Sequence, residues 1–221
     1  MTKEGFSFDK MMTILIEAFP EEAAPVITRL SRETKKDPFI ILVGTLLSLR
    51  TKDETTEKVM GMLMPVIKTS QDLIDMPLDE LEKLIYPVGF YRNKAKVLKE
   101  VASEIITRYG SRVPDTIEEL LTIRGVGRKT ANLVVTEGYG KPGICVDTHV
   151  HRISNRLGIV STKNPIQTED ALRKILPQQY WIIYNALLVT FGKRICTPLS
   201  PKCSQCPIES LCEKVGVTRS R

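Results

Sequence analysis

The chain has 221 residues, room for one large domain or two small ones, and its 42% hydrophobic and 26% charged content argues against global disorder. No apolar run approaches the roughly 18 residues of a membrane span, and Met1 to Lys10 has no apolar stretch leading to a cleavage site, so no membrane or secretion signal is expected. Lys and Arg total 32 against 26 Asp and Glu, and the net charge of +6 favours a polyanionic partner without identifying it.

In chain order the sequence reads as helical almost throughout. A first helix over Asp9 to Phe19 is stopped near Pro20. Pro38 introduces the apolar run Phe39 to Leu47, whose length and helical neighbours favour a buried helix over a strand. Asp53 to Met64 gives another helix, ended by Pro65, and Pro77 with Asp79, Glu80 and Glu82 opens a short one, early acids suiting a helix N-terminus. Arg92 to Tyr109 has the clearest amphipathic pattern. Val97, Leu98, Val101, Ala102, Ile105 and Ile106 recur at helical spacing, Lys94, Lys96, Lys99 and Glu100 are expected to face water, and Gly110 ends the helix. Pro114 and Thr116 lead into a short helix to Leu121, and a second follows the glycine link over Arg128 to Glu137. Asp147 or Thr148 caps a helix reaching Leu157, with Gly158 as its stop. The remaining helices are expected from Thr168 to before Pro177 and, nearly all buried, from Gln178 to Phe191, halted by Gly192. The predicted fold class is all-α with two helical lobes, and no Pro/Gly/Ser linker marks their boundary.

Four of the five cysteines crowd the C-terminus as Cys196-x6-Cys203-x2-Cys206-x5-Cys212. Pro198, Pro201 and Pro207 make this a looped segment, and four thiolates can hold zinc or an iron–sulfur cluster. Structural zinc often uses two tight cysteine pairs, and only Cys203 and Cys206 make one here. The long first gap leaves room for the larger cofactor, but spacing alone does not decide between them. Lys193, Arg194 and Lys202 flank the cysteines, where they can offset cluster charge or meet phosphates. Cys145 stands apart and reads as a small buried apolar residue.

The second signal is Arg124-Gly125-Val126-Gly127-Arg128-Lys129-Thr130. Two glycines one residue apart permit a sharp turn and a close approach of the backbone to another chain, and the helix after them offers N–H groups and the positive end of its dipole to phosphate. A tight turn between packed helices is the plainer reading of the same pattern. The spacing is not that of a nucleotide-binding P-loop. Lys129, if desolvated, is a candidate nucleophile, and Asp147, eighteen residues later, is a candidate acid/base partner or a simple helix cap. His149 and His151, two apart on a helix, do not share a face and do not suggest a zinc site.

Taken together, Leu46-Leu47-Ser48, Thr51-Lys52-Asp53, the Gly125-Val126-Gly127-Arg128-Lys129-Thr130-Ala131-Asn132 turn, Val146-Asp147-Thr148-His149 and the 6–2–5 cysteine spacing resemble the endonuclease III family of DNA glycosylases, within the helix–hairpin–helix superfamily. The resemblance covers nearly the whole chain. It implies a six-helix lobe over 31–141 carrying the hairpin, a second lobe from 1–30 and 142–221, and a DNA cleft between them. It also implies a [4Fe–4S] cluster on Cys196, Cys203, Cys206 and Cys212, with Lys129 and Asp147 catalytic. The implied activity is removal of oxidised pyrimidines from damaged double-stranded DNA with cleavage 3′ to the abasic site by β-elimination. The protein is expected to act as a monomer, in the cytoplasm or at the nucleoid. Candidate DNA contacts are Arg50, Phe90, Arg124, Gly125, Val126, Gly127, Arg128, Thr130, Lys193 and Arg194.

Three positions depart from common family forms. Arg50 stands where many members have Gln, Ile123-Arg124 replaces Leu-Pro, and Phe90 falls where relatives place an intercalating Leu. For Phe90 a core aromatic is the competing reading. The alternative functions are a mismatch-directed (T:G or U:G) glycosylase of the same superfamily and a non-catalytic DNA-binding module with a metal-stabilised tail.

Overall fold

The computed structural model describes residues 5–20 and 23–221, so part of the N-terminal segment weighed as a leader lies outside the described residues. The fold is all-α, with no strand among the described residues and no helix long and apolar enough to cross a membrane. The chain divides into two compact units, one of residues 26–141 and one of 1–25 with 142–221. The inner unit begins at Val26 rather than near Ser31, because α2 (Val26–Glu33) turns Val26, Ile27 and Leu30 into that unit's core.

The inner unit is organised around α3 (Pro38–Ser48). Asp37 caps it by accepting from the N–H groups of Phe39 and Ile40, Pro38 fills the first helical position, and Phe39 through Leu47 are all buried. Around it lie α4 (Asp53–Leu63), α5 (Ser70–Asp75), α6 (Leu78–Ile85), α7 (Tyr91–Tyr109), α8 (Ile117–Leu121) and α9 (Arg128–Leu133). With α2 this makes eight helices among the described residues, where a six-helix lobe was expected; α5, α8 and α9 have six residues or fewer. A capping box between Thr69 and Asp72 starts α5, a helix the sequence reading passed over. Gly110 ends α7 in the left-handed conformation, as expected. The helix after the glycine link does not run uniformly to Glu137: α9 gives way to a π-helical turn, Val134–Gly138, which turns Val134, Val135 and Glu137 inward.

Two lysines on α7 correct the expectation that they face water. Lys94 is 9% exposed. Its Nζ donates to Leu47 O at 2.8 Å, Leu49 O at 2.5 Å and Thr51 Oγ1 at 3.0 Å. The Lys99 ammonium donates to the carbonyls of Leu73, Ile74 and Met76 at the end of α5. Both cations sit at the C-terminal ends of neighbouring helices, where unpaired carbonyls and the helix dipole favour positive charge.

The other unit packs α1 (Phe8–Ala18), α10 (Thr148–Arg156), α11 (Pro165–Ile175) and α12 (Trp181–Arg194) around Met11, Met12, Leu15, Leu172, Tyr184, Leu188 and Phe191. Asn164 caps α11 and Pro165 opens it, so this helix starts three residues before Thr168. Residues 178–180 form a separate 3₁₀ turn, and α12 is buried all round over 188–192 but only partly over 181–187. Gly192 does not halt α12. A Cβ there would lie 2.4 Å from His149 Nδ1, so the glycine admits α10 rather than ending a helix.

Candidate nucleic-acid interface and metal centre

In the inner unit, α8, the glycine turn and α9 form a helix–hairpin–helix. Gly125 has φ +92°, and a Cβ on it would meet Val97 Cγ1 at 2.8 Å, so both conformation and packing call for glycine. The turn closes through Val126 N–H donating to Ile123 O, while Arg124 N–H donates to Glu104 Oε1 on α7. Glu104 also receives Arg108, so one carboxylate ties the hairpin to the long helix. Sequence reading missed this role because the partners lie twenty residues apart.

Gly127 precedes the first turn of α9, which has no side-chain cap, and a Cβ at Gly127 would meet only open space. Arg124 and Gly125 are exposed, and Arg128 and Lys129 half-buried, on the same short stretch. Val126 and Thr130 are buried, at 6% and 1% exposure, so their side chains are not open to a ligand.

Arg50 and Phe90 come from turns that touch. Both residues are left-handed, with φ of +54° and +59°, a conformation uncommon for an arginine or a bulky aromatic. Phe90 is 66% exposed, which rules out the core-aromatic reading. Between them, Gly89 packs so closely that a Cβ would lie 3.0 Å from Arg50 O.

In the other unit, Asp147 is the N-cap of α10. Its Oδ1 accepts from His149 N at 2.9 Å and Val150 N at 3.0 Å, and the residue stays half-buried. The cap reading therefore holds, and it fixes where the second carboxylate oxygen sits. His151 Nδ1 lies 2.7 Å from Thr168 Oγ1 and His149 Nδ1 lies 3.2 Å from Arg152 Nη2, both structural contacts. Cys145 is buried, and its carbonyl accepts from Asn185.

Cys196, Cys203, Cys206 and Cys212 line a single cavity with Ile153, Phe191 and Ile208. Among the described residues no three His, Cys, Asp or Glu side chains are gathered closely enough for a lone metal ion, although these four sulfurs share one space. Four soft thiolate ligands around one space are a donor set that an iron–sulfur cluster uses. N–H groups already point at sulfur: Lys214 N donates to Cys212 Sγ at 3.3 Å and Arg156 Nη1 to Cys196 Sγ at 3.5 Å. Burial pushes the Cys206 thiol up to about 11 and Cys212 upward, so the thiolates a cluster needs form there only against bound metal charge. Lys193 and Arg194 are exposed in the last turn of α12, beside the cysteine loop.

Residues 43–178 match the family model described as HhH-GPD superfamily base excision DNA repair protein, and residues 196–212 match that of the iron–sulfur binding domain of endonuclease III. Endonuclease III of Thermotoga maritima is 47% identical over 194 residues, covering 87% of this chain and 91% of that protein. A solved structure of a trapped endonuclease III–DNA covalent intermediate, an estranged-adenine complex, is 39% identical and superposes with a TM-score of 0.76 over 80% of this chain and 84% of that one. A thermostable thymine-DNA glycosylase is 27% identical, with a TM-score of 0.75 over 86% and 93% of the two chains. The hairpin, the cysteine loop and these similarities converge: the chain belongs to the endonuclease III family, within the HhH-GPD superfamily of base excision DNA repair proteins.

Proposed function

We propose that this protein is a bifunctional DNA glycosylase and abasic-site lyase that removes oxidised pyrimidines from duplex DNA and cleaves 3′ to the resulting abasic site. The observation that carries the reading is the half-buried Lys129 in the first turn of α9, directly after a glycine turn built to approach a phosphate backbone. The relative solved as a trapped covalent intermediate with DNA supports it, since such an adduct needs a protein nucleophile.

The damaged nucleotide leaves the stack, at a cost that is smaller for a poorly stacked lesion. Arg50 and Phe90 occupy the gap it leaves, and the backbone of Gly125 to Arg128 holds the phosphates. The neutral Lys129 amine gives its lone pair to the sugar C1′, the C1′–N bond breaks, and the base departs with that electron pair and a proton. The C1′–O4′ bond then breaks with its electron pair on O4′, which takes one of the nitrogen's two protons, the other having left with the base, and an imine remains. Loss of a proton from C2′ then expels the 3′ phosphate, and water releases lysine from the unsaturated aldehyde. Asp147 assists proton movement at Lys129 and base departure.

The segment Cys196–Cys212 holds a [4Fe–4S] cluster with its four cysteines as ligands. When bound, the cluster ties the loop at four points and adds charge that Lys193, Arg194 and Arg156 offset. The protein acts as a monomer on damaged double-stranded DNA, in the cytoplasm or at the nucleoid.

A duplex panel tests the reading: thymine glycol, dihydrouracil, 8-oxoguanine, U:G, T:G and an abasic site, each with borohydride trapping. Release of thymine glycol and dihydrouracil with a trapped adduct is expected. Cleavage of the abasic duplex alone would remove the glycosylase half. Preference for T:G would move the assignment toward mismatch repair, a reading favoured by the similarity to the thymine-DNA glycosylase.

A further inference from the structure

The one buried cation of the inner unit that joins two separate exposed turns is Lys94, and its surroundings are more than a packing solution. Its Nζ takes the carbonyls of Leu47 and Leu49 and the hydroxyl of Thr51, which bracket Arg50 on both sides. The backbone N–H of Lys94 donates to Phe90 O at 3.0 Å, so the same residue holds the turn that presents Phe90. Gly89 lies against Arg50 O between them. Arg50 and Phe90 are the two exposed, left-handed residues at the tips of these turns, and neither conformation is stable for such side chains without surroundings that impose it.

We infer that Lys94 is a positioning residue for damage recognition: its ammonium fixes the Arg50 and Phe90 turns at one spacing, so that both side chains enter the duplex together when a base is displaced. This rests on the reading of the protein as a base-releasing glycosylase. Three acceptors surround the Nζ, matching the three donors of an ammonium, and two are carbonyls at the C-terminal end of α3, where a cation meets the helix dipole. Burial pushes its pKa down to about 8, so the charge persists at neutral pH despite the apolar setting. A lysine held only for stability would need no link to two DNA-facing turns.

The test uses the full-length protein with cluster bound. Lys94→Met keeps the aliphatic stem and removes the donors, and Gly89→Ala leaves Lys94 intact while placing a Cβ 3.0 Å from Arg50 O, wedging the turns apart. Two rates are compared under single turnover: release of a stacked lesion base, which requires gap filling, and cleavage of a preformed abasic site, which depends on it less. The fluorescence of 2-aminopurine opposite the lesion reports insertion directly. Both variants are expected to lose about tenfold or more in base release, to stay within about threefold in abasic cleavage, and to lose the fluorescence rise, at temperatures where circular dichroism shows them folded. If Lys94→Met does not fold, Lys94→Gln, which keeps a donor but loses the charge and two of the three bonds, takes its place in the same comparison. Wild-type ratios and fluorescence in a folded variant overturn the inference, as does an equal loss in both rates. A wild-type protein that releases no base overturns the functional reading instead, and is recognised without either variant.

Discussion

Gly125 rests against Val97, with space for a hydrogen but not for a methyl group: a Cβ would come within 2.8 Å of Val97 Cγ1, from a backbone at φ +92°. The contact seats the hairpin on α7 and thereby aims the first turn of α9. Gly125→Ala combines an unfavourable conformation with overpacking, and a loss of about 1–3 kcal/mol is expected, seen as a fall of several degrees in melting temperature. DNA affinity should fall as well, because the turn must shift. Thermal unfolding and a binding titration with an abasic duplex measure the two effects.

Asp147 allows chemistry and capping to be separated. Asparagine caps a helix about as well as aspartate, so Asp147→Asn should keep the bonds to His149 and Val150 and leave the melting temperature within about 1 °C. Base release should nevertheless fall by about 10²–10⁴-fold, with DNA binding mostly kept. Lys129→Ala should abolish the borohydride-trapped adduct altogether. Full trapping by that variant would remove Lys129 from the mechanism.

Glu137, in the π-helical turn, is buried with Thr28 donating to its Oε1 at 2.7 Å. Burial raises its pKa, and Thr28, Ser31, Arg32 and Lys36 only partly counter this. The folded protein therefore binds this proton more tightly than the unfolded chain does. Stability from this group falls as pH rises from the ordinary glutamate value through the raised folded one, and the full cost is present only above the latter. Glu137→Gln keeps an acceptor for Thr28 and should melt at higher temperature than wild type at pH 7. The gap should close as the pH is lowered toward 4.5, in melts run across that range; a gap that does not change with pH would contradict the assignment.

Gly192 makes the cysteine loop sensitive to a substitution outside it. An alanine Cβ would sit 2.4 Å from His149 Nδ1 and 3.0 Å from Arg152 Nη2, and that guanidinium donates to Cys196 O at 2.9 Å. Gly192→Ala should destabilise the unit by about 2 kcal/mol and lower the cluster's visible absorbance per protein. Iron quantification alongside the absorbance spectrum checks the outcome.

Features set by local chemistry were legible in the sequence. Gly110 and Gly158 end their helices in the left-handed conformation, Asp147 caps α10, and the four cysteines share a cavity. What escaped depends on partners distant in sequence. Lys94 and Lys99 carry the usual mark of a solvated helix face, yet their acceptors come from the ends of α3 and α5. A clue existed for Lys94, which stands on the same stripe as Leu98, Val101 and Ile105 at helical spacing. Gly192 read as a stop because glycine so often is one; only the arrival of α10 against α12 explains a glycine with helical backbone. Phe90 was ambiguous because an exposed aromatic and a core aromatic look alike until exposure is known.

The unit of 1–25 and 142–221 is assembled from two stretches separated by the whole of the other unit. During synthesis, α1 leaves the ribosome with Met11, Met12 and Leu15 and no partner for them, since Leu172, Tyr184 and Phe191 are still to be made. At ordinary elongation speeds the wait is on the order of ten seconds or more, long enough for residues 26–141 to fold first. That order makes the inner unit the early product of translation, and it leaves the apolar face of α1 exposed to chaperones in the interval before α12 emerges to cover it.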